Sequence, residues 1–503
     1  MLAAMPLPPT TVPPGDQTPV AGVRARSAAV RAVSAARGGR DDACPGALRL
    51  HSAHDGALAR IRLPGGLLTG CQAEALAGAS EELGDGRVDL TSRGNLQLRG
   101  LDEGCGARLA ERLRTAGLLP SDAHDRVRNI VASPLAGLDG AGHADTSVWA
   151  RELDALLCAA GPGESTGLSR LSELSGRFLF ALDDGRGDIA ALGADVTLIA
   201  TPDGGAVLRM GSAGSEGPAG AVVRVTAAGD APRAAALAAL EFLICADESG
   251  IRAWRVWELP AQHAVTAEGL AARLGEAGIG HHTDTGPEPP ELGPGAAHHG
   301  PTPGTVAGPD GRHTVSVAVP LGRMSAAQWR LLAALASRDG ADELRVTPWR
   351  GVVLPGFTRQ GALAAADTLA EAGLVTDPDS RWLGVGACTG LPGCAKSLAD
   401  VRADAERTVA GAAADGGPHT ALPPVYFSGC ERRCGHPGGH WVDALATGEG
   451  YRVTVRGTAE TAPETAESPG PTDGADGTGS DGTGVDVTAE QVADAVAAAR
   501  GTR

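Results

Sequence analysis

Lysine is almost absent from this sequence: Lys396 is the only one, and every other basic side chain, histidines aside, is arginine. Aromatic residues make up 3% of the 503 residues. Together with 73 glycines, these biases look like a compositional preference, which excludes little about function. They also weaken helix predictions from periodicity, because alanine occurs on every face of every helix.

Basic charge and long apolar runs are scarce as well. The net charge is -17, and no basic stripe appears outside residues 1–45, which argues against a nucleic-acid binder. No apolar run is long enough to cross a membrane, and no secretory signal peptide is evident. We therefore expect a soluble, cytoplasmic protein without membrane or nucleic-acid partners. The length predicts roughly three domains.

Four of the nine cysteines stand in a pattern typical of a metal site. Cys388 and Cys394 form a C-x5-C pair, and Cys430 and Cys434 form a C-x3-C pair. Zinc sites space paired cysteines about two to four residues apart, so the first pair favours an iron-sulfur cubane, whereas the second alone would suit zinc. The odd number of cysteines argues against a disulfide framework and favours a reducing compartment.

The surroundings of these cysteines also favour a cluster. Glycine lets the backbone approach an inorganic group closely. Four glycines flank the cysteines: Gly390, Gly393, Gly429 and Gly435. A helix is predicted from Ala395 to Ala410, and its N-terminal dipole would favour the negative charge of a cluster bound through Cys394. Lys396 would lie in the first turn of that helix.

An internal repeat runs through the sequence. Pro64 aligns with Pro320, and the same offset pairs Thr91 with Thr347 without a gap. Each copy reads as strand, helix, hairpin, helix, which predicts an α+β fold. In the first copy we predict strands at 57–63, 88–90 and 96–99 and helices at 71–82 and 107–116. Further on we predict helices near 148–159 and 231–246 and strands near 178–182 and 222–225.

Continued onward, the repeat includes the cysteine loop. Ala132 then stands opposite Cys388, and Leu138 stands opposite Cys394, so only the second copy carries cysteines at these two positions. We infer a duplication in which one half keeps the metal and the other is free to line a substrate pocket.

Three segments are predicted to lie outside the repeated domains. Residues 1–45 form a disordered tail. Residues 280–308 are proline-rich and form a linker, whose four histidines (His281, His282, His298 and His299) are solvated. Residues 457–503 form a flexible acidic tail that ends in a short helix, which Thr488 opens in a capping box with Gln491.

Over about residues 46–456 the chain resembles the nitrite and sulfite reductase superfamily. The residues that carry the resemblance are ACTGLPGCAKSLADVRADA, SGCERRCGHP, LTSRGNLQLRGL, LRVTPWRGVVLPG and RNIVASP. The resemblance implies two ferredoxin-like half-domains and two nitrite/sulfite reductase [4Fe-4S] domain lobes related by internal duplication. The implied boundaries are 46–120 and 309–376 for the half-domains, 121–279 for a lobe without cluster cysteines, and 377–456 for the cluster-binding lobe. Cys388, Cys394, Cys430 and Cys434 would bind the cluster, and Cys434 would be shared with sirohaem where sirohaem is present.

Within the superfamily, the chain is most similar to the precorrin-3B synthase branch. Sulfite reductases hold their oxyanion with two lysines in a stretch like L-P-R-K-F-K, whereas LSGRFLFALDDG offers Arg177 and then Leu179. The branch implies an iron-sulfur monooxygenase of aerobic cobalamin biosynthesis that hydroxylates precorrin-3A and forms a lactone. It implies dioxygen and an external electron donor, either NAD(P)H through a reductase or ferredoxin. It also implies a mononuclear non-haem iron, whose ligands cannot be assembled from candidates such as His436, His440, His51 and His124.

Other readings stay open. A sirohaem-dependent assimilatory sulfite or nitrite reductase is the first alternative. An iron-sulfur sensor or electron-transfer protein is the second, and a zinc-stabilised scaffold is the last.

The substrate site is predicted from charge. Sirohaem and precorrin-3A are both reduced tetrapyrroles with eight carboxylates, and guanidinium groups pair bidentately with carboxylates. Six arginines on the motif loops are therefore the predicted substrate-binding residues: Arg93, Arg99, Arg126, Arg128, Arg177 and Arg350. No catalytic residue is assigned.

Overall fold

In the computed structural model, the described residues are 44–159, 167–211, 220–283, 300–411, 422–437, 440–457 and 484–501. All of them lie in one compact unit, Asp42–Arg503. The predicted N-terminal tail lies outside this description except for its last two residues, and His298 and His299 also lie outside it. Within the described ranges, no helix combines the length and the apolar character that a membrane crossing requires.

The described elements are numbered here in chain order. The helices are α1 Gly70–Leu83, α2 Gly106–Thr115, α3 Thr146–Cys158, α4 Ala231–Ser249, α5 Ala267–Glu276, α6 Ala326–Asp339, α7 Arg359–Glu371, α8 Val401–Gly411 and α9 Val492–Gly501. The strands of the first half are β1 His51–Ala53, β2 Gly56–Ile61, β3 Leu67–Leu68, β4 Arg87–Leu90, β5 Leu96–Leu101, β6 Ile130–Ala132, β7 Phe180–Asp183, β8 Val196–Ala200, β9 Ala206–Met210, β10 Val222–Val225 and β11 His281–His282. Those of the second half are β12 Gly304–Ala307, β13 His313–Ala318, β14 Arg323–Ser325, β15 Leu344–Val346, β16 Gly351–Phe357, β17 Val385–Ala387, β18 Val425–Ser428, β19 Trp441–Ala446, β20 Tyr451–Arg456 and β21 Val485–Val487.

Two antiparallel sheets form the repeated half-domains, and each sheet borrows one strand from the other half. The first has the order β1-β2-β5-β4-β14, and the second has the order β12-β13-β16-β15-β3. Thus β14 of the second half pairs with β4, and β3 of the first half pairs with β15. Helices α1 and α6 pack together in a single hydrophobic core that both half-domains share.

The two copies start their first helices in the same way. At α1, the Thr69 hydroxyl accepts from the Gln72 amide while the Gln72 side chain accepts from the Thr69 amide. Ser325 and Gln328 form the same reciprocal pair at α6. These capping boxes satisfy backbone donors that a helix start leaves unpaired. Their equivalent positions show that the repeat preserves local turn chemistry as well as hydrophobic pattern.

The other two sheets also share one topology. In the first lobe, β6, β7 and β8 are parallel, and β9, β10 and β11 continue the sheet antiparallel. In the second lobe, β17, β18 and β19 are parallel, and β20 and β21 continue it antiparallel. The predicted α+β fold and internal duplication are therefore confirmed.

Three local predictions need correction. The helix expected from Ala395 to Ala410 begins at Val401, and a turn-rich loop precedes it. The predicted linker contributes strand residues at both ends, because β11 pairs with β10 and β12 pairs with β13. The predicted flexible tail contributes strand β21, which was not predicted, while its predicted short helix is confirmed as α9; residues 458–483 lie outside the described ranges.

The last helix is anchored in the second lobe. Val492 and Val496 of α9 are buried in that lobe's core. Arg500 is 8% exposed, and its Nε donates to the Pro423 carbonyl at 2.9 Å. The Thr488 amide donates to Gln491 as the capping box requires, but the helix begins only at Val492.

Candidate functional site

A cavity of about 410 Å³ opens where both half-domains and both lobes meet. Its walls come from the first-half hairpin (Ser92, Arg93), the second-half hairpin (Thr347 to Gly351), the first lobe (Val131, Leu179, Leu192, Arg255) and the second lobe (Trp382, Tyr426, Gly435, His436). Ligand pockets typically measure roughly 300–1,000 Å³. The cavity borders the cysteine loop, because Gly435 and His436 directly follow Cys434.

The four cysteines lie on two loops beyond the ends of neighbouring strands. Cys388 follows β17, and its amide donates to the Phe427 carbonyl at 3.0 Å. The Gly429 amide in turn donates to Cys388 Sγ at 3.2 Å. Cys430 and Cys434 follow β18. Adjacent parallel strands end at the same sheet edge, so the fold brings both loops together.

The arrangement of sulfurs fits a group larger than zinc. Burial raises the pKa of the Cys434 thiol, and the neighbouring Cys430, Cys388 and Cys394 raise it further, so the four groups are close enough to interact. No three of these sulfurs, however, lie within 4.8 Å of one another. A tetrahedral zinc with Zn–S of about 2.3 Å would hold its sulfurs about 3.8 Å apart. Four thiolates at wider spacing suit an iron-sulfur cubane.

Glycine is favoured both where the two cysteine loops touch, at Gly429, and within the first loop, at Gly393. A Cβ on Gly429 would stand 1.9 Å from Ser397 Oγ, and one on Gly393 would stand 2.7 Å from Thr389 Cγ2. Gly390 and Gly435 adopt φ angles of 68° and 84°, which favour glycine. The loops can therefore close around a compact inorganic group.

The first half-domain clamps the loop that carries Cys394. Arg99 is 4% exposed; its Nε and Nη2 donate to Asp55 Oδ2 and Oδ1 at 2.9 and 2.8 Å. The same Nη2 donates to the Gly393 carbonyl at 2.9 Å. His54 Nδ1 lies 2.8 Å from the Pro392 carbonyl oxygen.

A second arginine holds the loop at Cys388. Arg402 Nε donates to the Cys388 carbonyl at 3.2 Å, and Arg402 Nη2 donates to Asp89 Oδ1 at 3.0 Å. Because Asp89 belongs to β4, this contact also joins the cysteine lobe to the first half-domain.

The comparisons with known proteins agree with this architecture. Residues 51–116 and 306–372 match the nitrite/sulfite reductase ferredoxin-like half domain. The chain therefore contains two nitrite/sulfite reductase ferredoxin-like half-domains and is similar to proteins of the nitrite and sulfite reductase superfamily.

Two relatives in this superfamily are similar to most of the chain. A ferredoxin–nitrite reductase from Synechococcus elongatus is 29% identical over 414 residues, which are 76% of this chain and 74% of that protein. A precorrin-3B synthase from Sinorhizobium sp is 27% identical over 429 residues, 84% of each chain. The solved structure of Mycobacterium tuberculosis NirA has a TM-score of 0.60 at 20% identity and covers 87% of this chain and 79% of its own.

Of the six arginines predicted to bind substrate, Arg93 and Arg350 line the cavity. Arg99 is engaged by Asp55 and Gly393 as described. Arg128 is 6% exposed and pairs with Asp154 at 2.6 and 2.7 Å. Arg177 lies over the Trp254 ring, 4.4 Å from its centroid. Arg126 is half-buried and does not line the cavity. Two of the six arginines therefore line the cavity, whereas carboxylate and aromatic partners distant in sequence engage Arg99, Arg128 and Arg177.

Sequence reasoning missed two buried arginines near Arg93. Burial lowers the pKa of Arg93 to about 10, and the nearby charges of Arg255 and Arg60 lower it further. Burial also lowers the pKa of Arg60, and it lowers that of Arg62 to about 9. In the described part of the chain, the Arg93 guanidinium has no hydrogen-bond or ion-pair partner. Arg93 therefore brings uncompensated positive charge to the cavity, whereas Arg255 is paired with Asp195 at 2.7 Å. The R-x-R sequence formed by Arg60 and Arg62 at the end of β2 was the signal that could have revealed the neighbouring arginines.

Apart from Arg255, the first-lobe residues named above as cavity walls are apolar. Val131 and Leu179 are buried in a small cluster with Ile189, and Trp349 packs against it. Both Leu179 and Trp349 face the cavity. The cavity therefore combines arginine side chains with an apolar patch formed by Val131, Leu179, Leu192 and Trp349.

The first lobe has carboxylates at the places of two of the four clustered cysteines. Val131 pairs with Ala181 across β6 and β7, and its repeat equivalent Ala387 pairs with Phe427 across β17 and β18. Ala181 therefore corresponds to Phe427. Three residues further along the chain, Asp184 corresponds to Cys430, and seven residues further, Asp188 corresponds to Cys434.

These carboxylates are already engaged inside the first lobe. Asp183, Asp184 and Asp188 form a close acidic group. Asp183 accepts from four backbone amides, and Arg186 pairs with Asp184 at 2.7 Å. His51, His124, His436 and His440 belong to no group of three close metal-ligating side chains in the described ranges. The described residues therefore do not fit a mononuclear non-haem iron.

Proposed function

We propose that this protein is a precorrin-3B synthase, an oxidoreductase that hydroxylates precorrin-3A at a meso carbon and closes a γ-lactone from a neighbouring acetate. Dioxygen would place one oxygen atom in the macrocycle and leave the other in water, with two electrons and two protons supplied by an external donor. The observation that carries the proposal is the cavity, which combines uncompensated arginine with an apolar patch.

Charge favours a polycarboxylate ligand. A buried guanidinium without a carboxylate is costly, and a depressed pKa is the sign of that cost. Arg93 lines the cavity without a carboxylate partner and with a lowered pKa, and Arg60 lies close enough to lower that pKa further. A tetrapyrrole with eight carboxylates would supply the missing negative charge through bidentate contacts.

Aromatic side chains favour a flat ligand. The sequence holds only seven tryptophans and two tyrosines. Trp349, Trp382 and Tyr426 all line the cavity. Large flat rings contact a macrocycle over a wide area, and such contacts favour offset or edge geometry.

The apolar patch favours the synthase over the reductase. Leu179 faces the cavity where a reductase of the sulfite type would place a lysine, and Arg177 is turned onto Trp254. A nitrite or sulfite anion would gain little beside Val131, Leu179 and Leu192, whereas an apolar macrocycle edge and dioxygen would suit that patch. The second candidate, a sirohaem-dependent nitrite or sulfite reductase, is supported by the similarity to the Synechococcus enzyme.

The four cysteines fit a [4Fe-4S] cluster by donor type, spacing and glycine-lined loops. When bound, the cluster would supply electrons one at a time. The chain itself would hold the cluster loops in place through Arg99 and Arg402, and would hold the macrocycle through Arg93 and Arg350.

The test begins with anaerobic purification, followed by absorption and EPR spectra and acid-acetone extraction. We expect a cubane signal without extractable sirohaem. Incubation with precorrin-3A under ¹⁸O₂ should then add one labelled oxygen atom to the product. Stoichiometric sirohaem together with nitrite or sulfite reduction would instead establish the reductase. Arg93→Gln should weaken precorrin binding and leave the cluster spectrum unchanged, whereas Arg87→Gln on the exposed face of β4 should change neither.

A further inference from the structure

Arg350 occupies a backbone position that favours glycine. Its φ angle is 59°, and the residue at the same place in the first copy is Gly94, with a φ angle of 62°. The turns match in detail, because the Gly94 amide donates to Thr91 and the Arg350 amide donates to Thr347, both at 3.1 Å. A side chain at a left-handed position is strained, and strain retained at one copy of a repeat points to function.

The Arg350 side chain bridges the cavity and the cysteine loop. It lines the cavity, and its Nη2 donates to the Gly435 carbonyl at 2.9 Å. Its guanidinium carbon lies 5.6 Å from the ring centroid of Tyr426, whose hydroxyl donates to the Cys434 carbonyl at 2.6 Å. The neighbouring backbone leaves room for it, because a Cβ on Gly322 would stand 2.4 Å from Arg350 Cδ.

Arg350 differs from the other two arginines that hold the cysteine loops. Arg99 and Arg402 also donate to backbone carbonyls of the cysteine loops, but each is paired with an aspartate of the first half-domain. In the described ranges Arg350 has no carboxylate partner. Its charge is therefore uncompensated, and it is the arginine of the three that a ligand in the cavity can reach.

We propose that Arg350 couples occupancy of the cavity to the reduction potential of the cluster, an inference that rests on the proposed function. Without ligand, the guanidinium beside Cys434 stabilises the more negative, reduced cluster. A ligand carboxylate accepts a charge-assisted hydrogen bond, which is stronger than the bond to the neutral Gly435 carbonyl. Binding thus neutralises the nearby positive charge and lowers the potential. The cluster becomes a stronger reductant only when a macrocycle is present, which limits wasteful reduction of dioxygen.

The test is an anaerobic potentiometric titration of the cluster-loaded protein, followed by EPR. The probe is sirohydrochlorin, a metal-free reduced tetrapyrrole with eight carboxylates, and its binding is measured separately by absorption. In the wild-type protein we expect the midpoint potential to fall when the probe binds. Arg350→Gln should start at a lower potential and show no further fall, while Arg350→Lys should keep part of the shift.

Two matched variants distinguish an effect of Arg350 on the coupling between cavity and cluster from a general effect of the substitution on the fold. Arg312→Gln removes an exposed arginine of the same half-domain and should leave the shift intact. Arg350→Gly copies the first repeat, should unfold no earlier than the wild type, and should lose the shift. An equal shift in the wild type and Arg350→Gln, with probe bound to both, would overturn the coupling and leave the proposed function standing. Failure of the wild type to bind the probe would overturn both.

Discussion

The indole Nε1 of Trp329 donates to the carbonyl of Ala73 at 2.8 Å, and these two residues occupy the same place in the two copies of the repeat. The next pair along, Arg330 and Glu74, are also equivalent and also meet, at 2.7 Å. Equivalent residues face each other only near a twofold axis. The axis therefore passes between α1 and α6, and Trp329 fills the centre of the shared core.

Trp329 is fully buried, so its removal should destabilise both half-domains together. We expect Trp329→Ala to lower the free energy of unfolding by about 3–5 kcal/mol. Urea denaturation followed by circular dichroism measures the change. Arg330→Gln, on the exposed side of the same contact, should have little effect. Equal effects of the two substitutions would argue against a shared core centred on Trp329.

Cys434 should be required for the cluster. We expect Cys434→Ala to lose the absorption and EPR signals of the cubane, because three thiolates leave one iron without its ligand. Cys71→Ala, at an exposed cysteine on α1, is the control and should retain full iron and sulfide content. Retention of the cluster in Cys434→Ala would remove that residue from the ligand set.

The Asp55–Arg99 pair should stabilise the cysteine loop. Asp55→Asn leaves the buried Arg99 without its countercharge, and we expect a loss of about 3 kcal/mol in unfolding free energy. Iron should also be lost faster to a chelator, because Gly393 is held through the same arginine. The exposed pair Arg452–Asp486 offers the comparison, since Asp486→Asn should change neither quantity. A chelation rate equal to that of the wild type would show that the clamp does not act on the loop.

Asp188 should make stability depend on pH. Burial, with the neighbouring Asp183, raises the pKa of Asp188 to about 7. A folded-state pKa above the unfolded value means that the folded state binds the proton more tightly, so this contribution to stability is lost as pH rises from about 4 to 7. We expect Asp188→Asn to flatten that slope and to be more stable than the wild type above pH 7 by at least about 1 kcal/mol. Urea unfolding across this range, with exposed Asp102→Asn as control, decides the matter; an unchanged slope would contradict it.

The C-terminal helix should be part of the second lobe. Val496 is 3% exposed, and we expect Val496→Ala to cost about 2 kcal/mol. A chain ending at Gly457 should lose iron during purification, because α9 supports the sheet from which both cysteine loops extend. Normal iron content in the shortened chain would show that the helix is dispensable, and Val485→Ala, at an exposed site on β21, controls for general effects.

Sequence alone gave access to the repeat, both half-domains and the four clustered cysteines, because each depends on local spacing. The half-domains are confirmed, and the ligand set stays a prediction. The partners of the arginines could not be predicted, because they are distant in sequence. No local pattern around Arg128 indicates its pairing with Asp154, and none around Arg99 indicates its bond to Gly393. The start of α8 was missed for a similar reason. The Leu398 amide donates to the Gly429 carbonyl at 2.9 Å and Ser397 lies against Gly429, and these contacts with a loop distant in sequence replace the first turns of the expected helix.

The exchange of β3 and β14 has a consequence for how the chain is made. Strand β4 obtains its outer partner only when Ser325 has been synthesised, roughly 230 residues later. At a synthesis rate of about 5–20 residues per second, the backbone groups on the outer edge of β4 stay unpaired for on the order of ten to fifty seconds. During that time the nascent first half carries an unpaired strand edge, which is a template for pairing with another chain until β14 covers it.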